Sequence, residues 1–160
     1  MKTKTLSSLL TLVAIGVLWC CGALSASAKV EAERYYVLTN VHHGMTLSTG
    51  GAGSKDSPLV GEAYKKGSPD QLWQLKASGS DAFALYNPES NLAVDLAIQS
   101  PKGPLLWSLN VSNPNQQLIL EEEGTNFRLR AASLQRETKY LAITTDGNVM
   151  LDSEKSNNTL

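Results

Sequence analysis

The stretch Phe83-Ala84-Leu85-Tyr86-Asn87 sets an aromatic residue, one intervening residue and then a leucine, an alternation of period two that predicts a β-strand. The same motif stands 47 residues earlier as Tyr36-Val37-Leu38-Thr39-Asn40 and 44 residues later as Phe127-Arg128-Leu129-Arg130. Outward from each copy, further short strands follow in a common order. The second strands read Met45-Thr46-Leu47-Ser48, Leu92-Ala93-Val94-Asp95 and Leu141-Ala142-Ile143-Thr144, the last after an insertion around Ala132 to Glu137. The third strands are Pro58-Leu59-Val60, Pro104-Leu105-Leu106 and Asn148-Val149-Met150. The fourth are expected at Gln71-Leu72-Trp73-Gln74-Leu75 and Gln116-Gln117-Leu118-Ile119-Leu120, with a third starting at Asn158-Thr159-Leu160. Clusters such as Gly50-Gly51-Ala52-Gly53, Ser68-Pro69-Asp70 and Asn113-Pro114-Asn115 mark turns between them.

Four short strands taken three times fit poorly to a propeller, which needs about four to eight blades. They fit a threefold barrel closed by hairpins. The expected fold is therefore all-β, a β-trefoil with units at 36–79, 83–124 and 127–160. Its last strand is expected to be truncated at Leu160, leaving the barrel short of its closing residues.

The first 28 residues read as a leader rather than as part of this fold. Lys2 and Lys4 precede an apolar run from Leu9 to Leu18, and Ala26-Ser27-Ala28 offers small residues for processing after Ala28. A retained anchor is the competing reading, although ten apolar residues are short for a bilayer. A lipidated cysteine fits less well, because Trp19 or Cys20 stands where a small residue is usual. The expected destination is outside the cytoplasm, secreted or periplasmic. Cleavage would remove both cysteines and leave the 132 residues Lys29–Leu160, one domain without disulfides and without a membrane span. Removing Lys2 and Lys4 leaves 12 basic against 15 acidic residues, a net charge of −3 that suits no nucleic acid.

Asp70-Gln71-Leu72-Trp73 resembles the Q-x-W element that ends each repeat in ricin-B-type lectins. Leu106-Trp107-Ser108-Leu109 with Asn113-Pro114-Asn115-Gln116-Gln117-Leu118 resembles the family's W-x-C and P-N-Q-Q-W signature, with Leu109 and Leu118 in place of the cysteine and the tryptophan. The resemblance spans essentially all of Lys29–Leu160. It implies a non-enzymatic carbohydrate-binding module in which each unit has places for an acid, an aromatic and an amide pair. Those types suit a sugar. A carboxylate accepts charge-assisted bonds from hydroxyls, a ring packs on the apolar C–H face, and amides both donate and accept.

The acid place holds Ser48, Asp95 and Thr144, and the aromatic place is taken to hold Gly61, Trp107 and Leu151. The polar pairs are Asp70-Gln71, Asn115-Gln116 and Asn157-Asn158. Only the second unit has every part, so the carbohydrate site is expected at Asp95, Trp107, Asn115 and Gln116, with galactose-type sugars the first candidates. Tyr64 offers a displaced aromatic to the first unit. Purely structural roles compete at several of these positions. Trp73 suits the core, Gln71 a loop backbone, Asp95 a turn cap and Trp107 a packing contact.

His42-His43 lie in a turn and lack further ligands for a metal, and the glycine-rich Thr49 to Lys55 lacks the ending of a phosphate loop. Glu121-Glu122-Glu123 read as a solvated edge. No catalytic constellation is recognisable, and no cofactor or metal is expected. Two alternatives stay open: a protein-binding trefoil, such as a protease inhibitor or adhesion factor, and a fragment of a larger glycosidase or toxin. The sequence leaves the oligomeric state and the sugar undetermined.

Overall fold

The computed structural model describes the backbone of residues 11–14 and, in full, residues 30–124, 126–134 and 136–153. Among these residues the chain forms twelve strands. The first, β1 (Thr11–Ala14), lies within the apolar run Leu9 to Leu18. Unit one contributes β2 (Tyr35–Thr39), β3 (Met45–Ser48), β4 (Val60–Ala63) and β5 (Trp73–Ser78). Unit two contributes β6 (Ala82–Asn87), β7 (Leu92–Asp95), β8 (Leu105–Trp107) and β9 (Leu118–Glu123), and unit three β10 (Asn126–Ala131), β11 (Tyr140–Ile143) and β12 (Val149–Asp152). The strand expected from Asn158 lies outside the described residues. No described helix is long and apolar enough to cross a membrane.

Among the described residues the stave pairing occurs twice, from unit one to unit two and from unit two to unit three. The fourth strand of a unit runs antiparallel to the first strand of the next, so that Leu75 faces Leu85 and Leu120 faces Leu129. Each fourth strand also returns to the first strand of its own unit, at Tyr36↔Trp73 and Phe83↔Leu118. These strands are the staves of the barrel. The hairpins β3–β4, β7–β8 and β11–β12 cap one end. This is a β-trefoil.

The alternation read from the sequence explains the core. Leu38, Leu85 and Leu129 are buried at equivalent positions, together with Tyr36, Trp73, Leu75, Leu118 and Phe127. Burying a leucine of this kind contributes roughly 1.5–3 kcal/mol. Trp73 is a core residue, and its indole Nε1 donates to Leu47 O at 3.0 Å. One close approach dictates glycine. Gly61 N donates to Gly147 O at 2.7 Å, and a Cβ on Gly61 would run into Ile143 Cγ2 and lie 3.2 Å from Gly147 Cα. Gly147 itself has φ +84°, which a side chain disfavours.

Three expectations need correction. Gln71 and Gln116 do not begin strands. They end 3₁₀ turns at Pro69–Gln71 and Pro114–Gln116, because proline fixes φ at the first turn position and, in unit two, the Asn113 side chain accepts from Asn115 N. The third strands start later than expected, past Pro58 and Pro104, which have no N–H for the ladder. Finally, the triple glutamate is no merely solvated edge. Glu123 and Glu121 form cross-strand ion pairs with Arg128 and Arg130 of β10.

Candidate functional site

The acid and aromatic places are fixed by strand ends. Asp95 closes β7 and Trp107 closes β8, with Ala93 paired to Trp107 and Asp95 to Leu105. Ala93 and Asp95 share a sheet face, so Trp107 stands diagonal to Asp95 on that face. The two residues differ in exposure: Trp107 is 43% exposed and Asp95 only 7%.

The Pro114–Gln116 turn meets this face from the side. Leu96 N donates to Asn115 O at 2.7 Å, which ties the turn to the residue after Asp95. The Asp95 carboxylate is gripped from three directions. Oδ1 accepts from Ala97 N at 2.9 Å, and Oδ2 accepts from Asn113 Nδ2 at 3.1 Å and Gln116 Nε2 at 3.3 Å. With two bonds on Oδ2 and one on Oδ1, one lone-pair position of Oδ1 has no partner among the described residues. The turn-cap role anticipated for Asp95 is thus real, and it coexists with a fixed carboxylate.

Gln116, expected among the sugar contacts, has no exposed surface. Its Nε2 also donates to Ser108 O at 2.9 Å, and its Oε1 accepts from Asn110 N at 2.8 Å. It is a positioning residue that ties the loop after β8 to Asp95. In unit one Gln71 makes the matching loop bonds, donating to Ala63 O at 2.9 Å and accepting from Lys65 N at 2.8 Å, without a bond to the acid place. Asn115 is half-buried at the rim. The structure thus brings Asp95, Gln116 and the backbone of Asn115 together beside Trp107, with Gln116 fully buried and Asp95 nearly so.

Two participants were not foreseen. Asn113 holds Asp95, and its only sequence signal was its place before Pro114 as a turn cap. Lys55 places its Nζ 5.7 Å from the Trp107 ring centroid. It belongs to the glycine-rich loop of unit one, which rests on β8 through the bond from Asp56 N to Leu106 O at 2.8 Å. A partner so distant in sequence leaves no local trace. A cleft of about 410 Å³ lined by Lys76, Tyr86, Asn91, Ser108 and Leu109 adjoins the loop after β8.

The register also corrects the aromatic place in the other units. Thr46 pairs with Glu62 and Ala142 with Met150, as Ala93 pairs with Trp107. Glu62 and Met150, not Gly61 and Leu151, are the counterparts of Trp107. Ser48, fully buried, caps Gly50 N at 3.0 Å as Asp95 caps Ala97. In unit three Thr144 holds the acid place, and a carboxyl appears two residues later at Asp146. The Thr144 hydroxyl, its own backbone and Asn148 hold Asp146 below the usual carboxylate range. The pair Asn157-Asn158 lies outside the described residues.

A family model described as ricin-type beta-trefoil lectin domain-like matches residues 24–105, just over half of the chain. The chain belongs to this family. Among solved structures, the ricin-type domain is similar to the designed threefold-symmetric protein ThreeFoil, with 26% identity, a TM-score of 0.68, and coverage of 78% of this chain and 94% of that one. It also resembles the Polyporus squamosus lectin, solved with a human-type influenza-binding epitope, at 13% identity and TM-score 0.64, covering 82% of this chain and 48% of that one. An exo-β-1,3-galactanase from Clostridium thermocellum matches at 20% identity and TM-score 0.67, over 81% of this chain and 29% of that one. No curated protein matches the chain.

Proposed function

We propose that this ricin-type domain is an exported, non-enzymatic carbohydrate-binding module that binds glycan weakly and mainly through unit two. The supporting observation is the joint geometry at Asp95: a carboxylate gripped by Ala97, Asn113 and Gln116, beside a solvent-facing Trp107. A sugar hydroxyl would donate to Asp95 Oδ1, the ring of Trp107 would take the C–H face, and the Asn115 amide would serve a neighbouring hydroxyl. Export rests on the charge, apolar run and small residues of 1–28.

One open acceptor position and one ring make a shallow site. A dissociation constant for a monosaccharide of about 0.1 to 10 mM follows, or roughly 3 to 5 kcal/mol. Galactose-type sugars are the first to test. A glycan array followed by calorimetric titration decides the matter. Asp95→Asn and Trp107→Ala should each abolish measurable binding with the fold intact, while Ser48→Ala and Thr144→Ala leave affinity unchanged. Parent-like binding by both of the first two variants would refute the site.

A further inference from the structure

β8 is held along both edges, and its two neighbours bring opposite charges to Trp107. On one edge β7 pairs Ala93 with Trp107 and Asp95 with Leu105. On the other edge runs the loop of unit one. Asp56 N donates to Leu106 O at 2.8 Å, Leu106 N donates to Ser57 O at 2.9 Å, and Pro58 bridges to Leu105. Asp56 takes a left-handed conformation there, φ +67°, which aspartate visits more readily than most residues. Its carboxylate pairs with Lys102. The loop so held carries Lys55 to the tryptophan, with Nζ 5.7 Å from the ring centroid. Lys55 is exposed, and among the described residues it forms no ion pair.

We propose, resting on the reading of Asp95 and Trp107 as a sugar site, that Lys55 makes that site selective for sugars that bear a carboxylate. A pyranose lying on Trp107 has Asp95 at one rim and the Lys55 ammonium at the other. A ligand carboxylate on the Lys55 side takes a charge-assisted bond from Nζ. On the Asp95 side the same group would meet a like charge. The two rims therefore fix the orientation, hydroxyls toward Asp95 and the acid toward Lys55. A neutral sugar offers the ammonium no counter-charge, while the lysine still competes for the ring it lies against.

Calorimetric titration of the full chain with methyl galactoside and methyl galacturonoside compares two ligands that differ by one carboxylate. An exposed ion pair shifts an equilibrium a few-fold, so the parent should bind the uronoside about fourfold more tightly at low salt. The preference should vanish in about 1 M salt, where charges are screened within about 3 Å. Lys55→Gln should bring the ratio of the two affinities to unity, and Lys55→Glu should invert it. Lys66→Gln, which removes an exposed lysine from the loop after β4, should keep the parent ratio. A parent without preference, a ratio that Lys55→Gln leaves unaltered, or an equal loss in Lys66→Gln overturns the role of Lys55. Binding of the neutral sugar alone, abolished by Trp107→Ala, overturns that role while sparing the sugar site. Binding of neither sugar overturns both.

Discussion

Truncating Gln116 to alanine should weaken both the fold and the ligand site, whereas the same change at its twin Gln71 should weaken the fold alone. The two amides make matching bonds to loop backbone: Ala63 O and Lys65 N for Gln71, Ser108 O and Asn110 N for Gln116, all at 2.8 to 2.9 Å. Each such bond contributes about 1 kcal/mol net, and the lost side-chain packing adds about 1 kcal/mol, so either variant should lose roughly 2–4 kcal/mol. Gln116 also donates to Asp95 Oδ2 at 3.3 Å. Bonds to charged groups contribute about 1.5–3 kcal/mol, but this one is long and Asn113 remains, so about 1 kcal/mol more is expected. With a urea slope of about 2 kcal/mol/M, the midpoint falls by roughly 1–2 M for Gln71→Ala and about 0.5 M further for Gln116→Ala. In calorimetry Gln71→Ala should bind glycan like the parent, while Gln116→Ala binds about tenfold more weakly, because Asp95 loses one restraint. Identical midpoints together with unchanged affinity in Gln116→Ala would refute this reasoning.

Other perturbations test the frame. Gly61→Ala forces a methyl against Ile143 and the Gly147 backbone, and should cost about 1–3 kcal/mol in urea denaturation; a cost near zero would mean the hairpins separate freely. Stability should also fall at alkaline pH. Burial pushes the Tyr36 phenol above its ordinary value of 10.0, and burial with the Glu121 hydrogen bond does the same for Tyr140. The folded state thus holds these protons more tightly than the unfolded chain, so their contribution is complete below pH 10.0 and is lost as pH rises through the folded values. Urea midpoints measured upward from neutral pH should decline above that value, and Tyr140→Phe should flatten the decline; a midpoint that rises with pH contradicts the assignment.

The threefold core was open to reading because burial and strand period coincide at Leu38, Leu85 and Leu129 in every unit. Asp95 and Trp107 were legible because both side chains stand at strand ends, where the repeat fixes their spacing. Register was harder. A slip of one residue moves a side chain to the other face, which is how Gly61 and Leu151 were mistaken for the counterparts of Trp107. The tight Thr144–Asn148 turn shortens the unit-three hairpin relative to unit two, so counting residues misaligns Met150. The burial of Gln116 and the approach of Lys55 depend on loops meeting in space. The apolar run around Thr11–Ala14 reads as a leader while its backbone forms a strand, and composition does not distinguish the two.

The central claim, that sugar stacks on Trp107 in unit two, is tested most directly by tryptophan fluorescence. Trp19→Phe leaves Trp73, with no exposed surface, and Trp107, which is 43% exposed. Iodide should therefore quench only Trp107. Titration with a galactoside should protect it saturably, with a midpoint in the range of about 0.1 to 10 mM, and Asp95→Asn should abolish the protection. Quenching that stays constant across the glycans that bind the protein would contradict the account.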